Sequence, residues 1–225
     1  MKHLLHTLAM MALLLVAVAC SKDVERSESY THFLYDVVTY VGTDAKTGNA
    51  KFELVGRDLT GSTMLQGNIA PDPNLKAPLR VLLRYNYADD GDAGAAWRQV
   101  KVFGVSSVHT DSLRITSSPI WLLAQYPVKM RSAWRTGDFI NLHCQVEYTG
   151  KTRTMMMVVD ESTRYDDTVH CYLNHDLRNE TPYFWRECYV SVNVGNVWKR
   201  SDCKTFRLHV NDADRGSVVY DFDRL

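Results

Sequence analysis

The amino-acid sequence predicts an all-β protein of two units, a small barrel followed by a seven-stranded β-sandwich. Three observations carry this expectation. Short segments rich in Val, Leu, Tyr and Phe recur along the chain, separated by clusters of Gly, Pro, Asn and Asp. Almost no stretch shows the apolar period of a helix. The alternation is clearest where Ile140, Leu142, Cys144, Val146 and Tyr148 fall on one face and Asn141, His143, Gln145 and Glu147 on the other. That second face should be wet.

The chain opens with Lys2 and an unbroken apolar run from Leu8 to Ala19, the n- and h-regions of an export signal. The run is too short to cross a bilayer, which takes about 20 residues. It ends in Ala17-Val18-Ala19-Cys20, which resembles the lipobox read by lipoprotein signal peptidase. Small side chains let the backbone enter the peptidase groove, and the thiol accepts the lipid. Residues 1–19 are therefore expected to be a signal peptide, with Cys20 the lipid attachment site that anchors the chain to the membrane through its acyl chains. Residues 20–30 are polar, without apolar periodicity, and form a lipidated tether. Ser21 after the cysteine favours the outer membrane, and Lys22-Asp23-Val24-Glu25 resembles a signal for display on the bacterial cell surface.

The remaining body, about 195 residues, suffices for one large or two small cores. Charged residues are 23% and apolar ones 45%, with 26 basic and 26 acidic side chains, so no basic excess recommends a nucleic-acid partner.

Residues 31–118 read as the barrel. Phe33–Val41, Lys51–Val55, Leu79–Tyr87, Trp97–Val105 and Ser112–Ile115 are strand-like, and turn-rich stretches at 42–49, 71–74 and 89–94 separate them. Five strands in this length suit a barrel of the OB type. Thr116-Ser117-Ser118-Pro119 interrupts the rhythm and marks the boundary. Ile120–Tyr126 reads as a short helical turn packed between the two units. Residues 119–225 then hold the seven sandwich strands, at 128–134, 139–148, 152–159, 169–174, 188–194, 205–210 and 218–222.

The segments Trp134-Arg135-Thr136-Gly137-Asp138-Phe139-Ile140-Asn141-Leu142, Tyr172-Leu173-Asn174-His175-Asp176 and Gly216-Ser217-Val218-Val219-Tyr220-Asp221-Phe222 resemble the C-terminal β-sandwich of the NigD-like lipoproteins. Leu79–Tyr87 followed by Val100-Lys101-Val102 is similar to that family's OB-like N-terminal domain. The resemblance implies a bacteriocin-linked, immunity-like role with a protein partner and carries no established biochemistry. The chain departs from the family in the four cysteines of its second half.

Those cysteines, Cys144, Cys171, Cys188 and Cys203, would lie where disulfides persist if the chain is exported, and four cysteines allow three pairings. Cys144, Cys171 and Cys188 alternate in phase with apolar neighbours and look core-facing. Cys203 is out of phase and would staple a loop. His143 adjoins Cys144 and His170 adjoins Cys171, but adjacent strand residues point to opposite faces and cannot share an ion, so no metal is expected. These histidines, with His175, read as surface residues. No other cofactor is implied.

Catalysis finds little support. No Gly-x-Ser-x-Gly elbow occurs, and the Asp160-Glu161 and Asp166-Asp167 pairs flank a turn. Trp97, Trp121, Trp134, Trp185 and Trp198 suit either a sugar platform or a core. The expected function is thus a non-catalytic cell-envelope lipoprotein that binds a protein partner. The alternative is a glycan-binding surface lipoprotein, which calls for a coplanar pair of exposed aromatics.

Overall fold

The structure is a computed structural model and describes residues 32–56, 61–72, 75–88, 97–151 and 155–224. The expected signal peptide, Cys20 and the tether at residues 20–30 lie outside the described residues.

The first five strands close on themselves. They are β1 (Leu34–Thr43), β2 (Ala50–Val55), β3 (Ser62–Gly67), β4 (Leu79–Tyr87) and β5 (Trp97–Ser107), in the order β1-β2-β3-β5-β4. β4 returns antiparallel to β1, and β3 runs parallel to β5, as in an OB barrel. Strand alternation sends Val81, Leu83 and Tyr85 inward to meet Val38, Phe52, Leu65 and Val100, all nearly or wholly buried. Each such side chain contributes about 1.5–3 kcal/mol on leaving water. Gly67 is required by crowding, because a Cβ there would stand 3.0 Å from Val102 Cγ2 and 3.5 Å from the Ala50 carbonyl. The turn after β1 is built by Asp44, whose carboxylate accepts from the backbone N–H of Lys46 and Thr47 and pairs with Lys51 at 2.9 Å.

The barrel has the expected number of strands but not the expected members. β3 was not legible, since Ser-Thr-Met-Leu-Gln-Gly offers neither alternation nor β-branched apolar residues. It is a strand because β2 and β5 flank it. The segment Ser112–Ile115 divides between β6 (His109–Ser112) and β7 (Arg114–Thr116), and both belong to the sandwich. β6 pairs in parallel with β12 and β7 with β10. By pairing, the sandwich therefore begins near residue 109 and not at 119. Its first strands find partners more than 40 residues away, which no local pattern records.

The seven expected sandwich strands are all present. They are β8 (Lys129–Thr136), β9 (Phe139–Tyr148), β10 (Met155–Asp160), β11 (Thr168–His175), β12 (Phe184–Asn193), β13 (Thr205–Asp212) and β14 (Gly216–Asp223). With β6 and β7 they form a five-stranded sheet, β14-β13-β11-β10-β7, and a four-stranded sheet, β6-β12-β9-β8. Ile140, Leu142, Cys144, Val190 and Val192 face Met157, Val159, Val169, Cys171, Phe206 and Leu208 across the core. One-turn helix α1 (Gly195–Trp198) closes one end and buries Trp198. The expected helical turn is a 3-10 turn at Ile120–Leu122, but it is not packed between the units: Trp121 is 81% and Leu122 69% exposed.

Barrel and sandwich have separate cores yet cluster as one compact unit, Phe33–Leu225. A buried arginine joins them. Arg80, on β4, donates to Thr39 and the Val37 carbonyl within the barrel. It also reaches Ser191 Oγ at 3.1 Å, Thr136 Oγ1 at 3.2 Å and Asn141 Oδ1 at 3.0 Å in the sandwich. Its guanidinium lies 4.5 Å from the centre of the Phe139 ring. None of these partners is charged, and burial pushes the Arg80 pKa down to about 10. The outer face of β9 is consequently not wet at this end. Asn141 is fully buried because the barrel docks on it.

Candidate functional site

Beyond the end of the sandwich core, where β9, β10, β11 and β12 meet the Val108-His109 crossing, a cavity of about 560 Å³ remains. Tyr148, Arg186 and Cys188 line it from the four-stranded sheet, Met155 and His175 from the five-stranded one, and Ser106 and Ser107 from the barrel. The β11 alternation explains the histidine: Val169, Cys171, Leu173 and His175 share the core-facing side, and His175 is the last of them. It is 1% exposed, and its Nδ1 has no hydrogen-bond partner among the described residues. Burial lowers the His175 pKa, while a hydrogen bond to the Tyr126 backbone and the charge of Asp176 oppose the shift. Burial thus favours the neutral ring, and Nδ1 is a buried polar atom left without a partner among the described residues. The expectation of a surface residue fails for His175 because its strand position, not its polarity, sets its direction.

The charged groups around the cavity differ in how they are occupied. Glu187 is held by His143 and by Gln145 Nε2 at 3.0 Å, and Lys151 pairs with Glu180 at 3.6 Å. Arg186 lies 5.0 Å from the centre of the Tyr148 ring. His109 Nε2 is 3.2 Å from the Met155 carbonyl, fixing its ring against β10.

All four cysteines of the sandwich are thiols in the structure. Cys144 and Cys171 face the core as expected. Cys188 is half-buried and packs against the same core. Cys144 and Cys188 stand directly opposite each other on β9 and β12. Burial raises the pKa of Cys171 well above the ordinary thiol value. Cys203 lies, as expected, in the loop before β13, and its side chain is fully buried in the sandwich core, with Sγ 3.8 Å from the Thr205 carbonyl.

Residues 122–224 match the family model of the NigD-like C-terminal beta sandwich domain. The second half of the chain is thus a NigD-like C-terminal β-sandwich domain. None of the curated proteins matches its sequence. Among solved structures, the chain is similar to a protein of unknown function from Bacteroides vulgatus, with TM-score 0.66, 16% identity, and 85% of this chain and 92% of that one covered. It is similar also to a NigD-like immunity protein from Bacteroides caccae, with TM-score 0.59, 17% identity and coverage of 85% and 97%. A third similar structure, from Bacteroides fragilis, is provisionally described as a lipoprotein, with TM-score 0.57, 9% identity and coverage of 85% and 98%. At these identities the likeness is one of fold, and it spans barrel and sandwich together.

The other sequence candidates are dispersed. Asp160 caps the short 3-10 turn at Glu161–Thr163 by accepting from Ser162 N at 3.0 Å, and Glu161, Asp166 and Asp167 are exposed on the same turn. His170 lies on the outer face of β11, with Nδ1 3.0 Å from His209 Nε2 and away from Cys171. His143 stacks on Tyr189 at 4.3 Å. Among the described residues no group of three or more His, Cys, Asp or Glu is placed to hold a metal ion. Of the tryptophans, Trp198 is core, Trp134 and Trp185 are half-buried, and Trp97 and Trp121 are exposed. Exposed tryptophans and tyrosines form no coplanar stack among the described residues. Sequence reasoning missed Arg80 and the unpartnered nitrogen of His175. The lone arginine in Leu79-Arg80-Val81-Leu82-Leu83 was the available signal for the first.

Proposed function

We propose that this NigD-like chain is a non-catalytic lipoprotein of the cell envelope, anchored through Cys20, that binds a segment of a protein partner in the cavity at the end of the sandwich. The observation that carries the reading is the equipment of that cavity. It has ligand-binding size, with Leu82, Val108, Val146 and Met155 in its lining, a buried histidine whose Nδ1 finds no partner among the described residues, and an arginine over an aromatic ring. Hydrolysis would require a nucleophile within reach of a base. Glu187 is instead bound to His143 and Gln145, and His109 to a backbone carbonyl. The description of the Bacteroides caccae structure as an immunity protein favours a protein as the ligand.

Peptides selected from a displayed library against the purified chain test the cavity. Met155→Trp, which fills it, and Arg186→Glu, which reverses its charge, are each expected to weaken the selected peptides at least about tenfold, or about 1.4 kcal/mol. Affinities unchanged by both substitutions would remove the cavity from the reading. Reproducible hydrolysis of a peptide or glycan panel, abolished by one cavity substitution, would remove the non-catalytic part. Anchoring is tested separately: Cys20→Ala is expected to move the protein from the membrane to the soluble fraction with an uncleaved or displaced N-terminus. Soluble wild-type protein would contradict it.

One observation favours glycan binding as a second reading. On the barrel, Trp97 is 49% exposed, with Lys51 Nζ 5.0 Å from its ring centre. Beside it Gln99, Gln66 and Thr47 form a hydrogen-bonded row. An aromatic face bordered by amides suits a sugar ring. Binding on a glycan array that disappears in Trp97→Ala would establish this reading, and a blank array would dismiss it.

A further inference from the structure

We propose that Cys144 and Cys188 close into a disulfide that cross-links β9 to β12 at the inner wall of the cavity, while Cys171 and Cys203 remain thiols. The two residues are direct partners in the antiparallel β9–β12 register. Directly opposed residues project to the same face with Cα atoms about 4.5–5.5 Å apart. Disulfides span about 4.4–6.8 Å between Cα atoms, so the backbone already lies within reach of the bond. The two thiols are near enough for each to shift the ionisation of the other.

The remaining cysteines have no such facing partner. Cys171 lies on β11 in the opposite sheet, opposed by Val159 on one side and Leu208 on the other. Cys203 is buried against the Thr205 carbonyl. The reactive order also follows from position. Cys144 is fully buried, whereas Cys188 lines the cavity and can be reached through it. The interaction of the two thiols favours the Cys188 thiolate and disfavours that of Cys144, with the charge of Arg186 helping the former.

The oxidant is a small or protein disulfide. The Cys188 thiolate attacks one of its sulfurs, forming a mixed disulfide and expelling one thiolate. Cys144, on losing its proton, attacks the Cys188 sulfur, forms the Sγ–Sγ bond and releases the second thiol. Two protein S–H bonds are lost, and two electrons and two protons pass to the oxidant, which leaves as two thiols.

The test uses the full chain, purified reduced and exposed to glutathione disulfide, so its outcome is independent of anchoring through Cys20 and of any partner. After acid quench, denaturation and alkylation, peptide mass mapping should find the Cys144 and Cys188 peptides joined, with Cys171 and Cys203 alkylated. In Cys188→Ser the cross-link should vanish and Cys144 should be alkylated. Four alkylated sandwich cysteines in the wild-type chain would overturn the proposal. So would a link from Cys144 to Cys171 or Cys203, or a glutathione adduct on Cys188 that Cys144 never displaces.

Discussion

Arg80→Ala is expected to lower the unfolding free energy by about 3–5 kcal/mol, the largest effect of any single substitution considered. The side chain is 4% exposed and makes five hydrogen bonds, three of them to the sandwich. Truncation empties the space over Phe139 and strips the partners of their common donor. Ser191 Oγ and Asn141 Nδ2 would keep their bonds to Asn141 Oδ1 at 2.8 Å and Thr136 Oγ1 at 2.9 Å, so the loss concerns the joint between the units. Arg80→Lys keeps the charge but replaces a planar fork by a single ammonium, which cannot reach both units at once. It should recover less than half of the loss. Urea unfolding followed by the fluorescence of buried Trp198 and by far-ultraviolet circular dichroism measures the effect. In Arg80→Ala the two probes should separate, because the barrel can then unfold ahead of the sandwich. A loss below about 1 kcal/mol with coincident transitions would show that apolar contact alone holds the units together.

The sandwich was legible in the sequence because its strands are long and alternate over a single core. β9 could be read residue by residue, and the seven expected strands differ from the observed ones mainly at their ends. What escaped depends on partners distant along the chain. β3 is a strand through its neighbours and not its composition. β6 and β7 are assigned to the sandwich by parallel pairing with β12 and β10. The same limit applies to the candidate site. Period-two alternation placed Cys144 and Cys188 toward the core, but only the β9–β12 register brings them face to face. Alternation placed Asn141 on the wet face of β9 and polarity placed His175 at the surface, whereas the docked barrel covers the first and the core-facing side of β11 directs the second inward. The turn built by Asp44 and the one at residues 160–167 were readable for the opposite reason: Asp bonds its own near neighbours, so the signal is local.

Asp212 supplies the second large effect and a pH dependence with a definite sign. It ends β13 with its side chain buried, Oδ2 accepting from Met130 N at 3.1 Å and from Arg215 at 2.9 Å. Oδ1 accepts from Asp214 N and Arg215 N, each at 3.0 Å. One carboxylate therefore fixes the β13–β14 turn and ties the five-stranded sheet to β8 of the four-stranded sheet, beside the Val128 N–H bond to the Asn211 carbonyl at 3.0 Å. Asp212→Ala leaves three backbone N–H groups without acceptors and should cost about 2–4 kcal/mol at pH 7. Burial by itself would raise the Asp212 pKa, but the hydrogen bonds from Arg215 and from the three backbone N–H groups outweigh it and hold the value at about 2, below the ordinary 3.8. A carboxylate with a depressed folded-state pKa stabilises the fold fully above its unfolded value, and the contribution disappears as pH falls through the folded value. The difference corresponds to about 2 kcal/mol, present at pH 5 and above and lost between about pH 4 and pH 2. Asp212→Asn removes the titration and turns a donor toward the Met130 or Arg215 N–H. Urea midpoints of wild type and Asp212→Asn should thus stand furthest apart at pH 7 and converge as the pH is lowered from 4 to 2. A gap that stays constant over that range would show that the carboxylate acts by shape and not by charge.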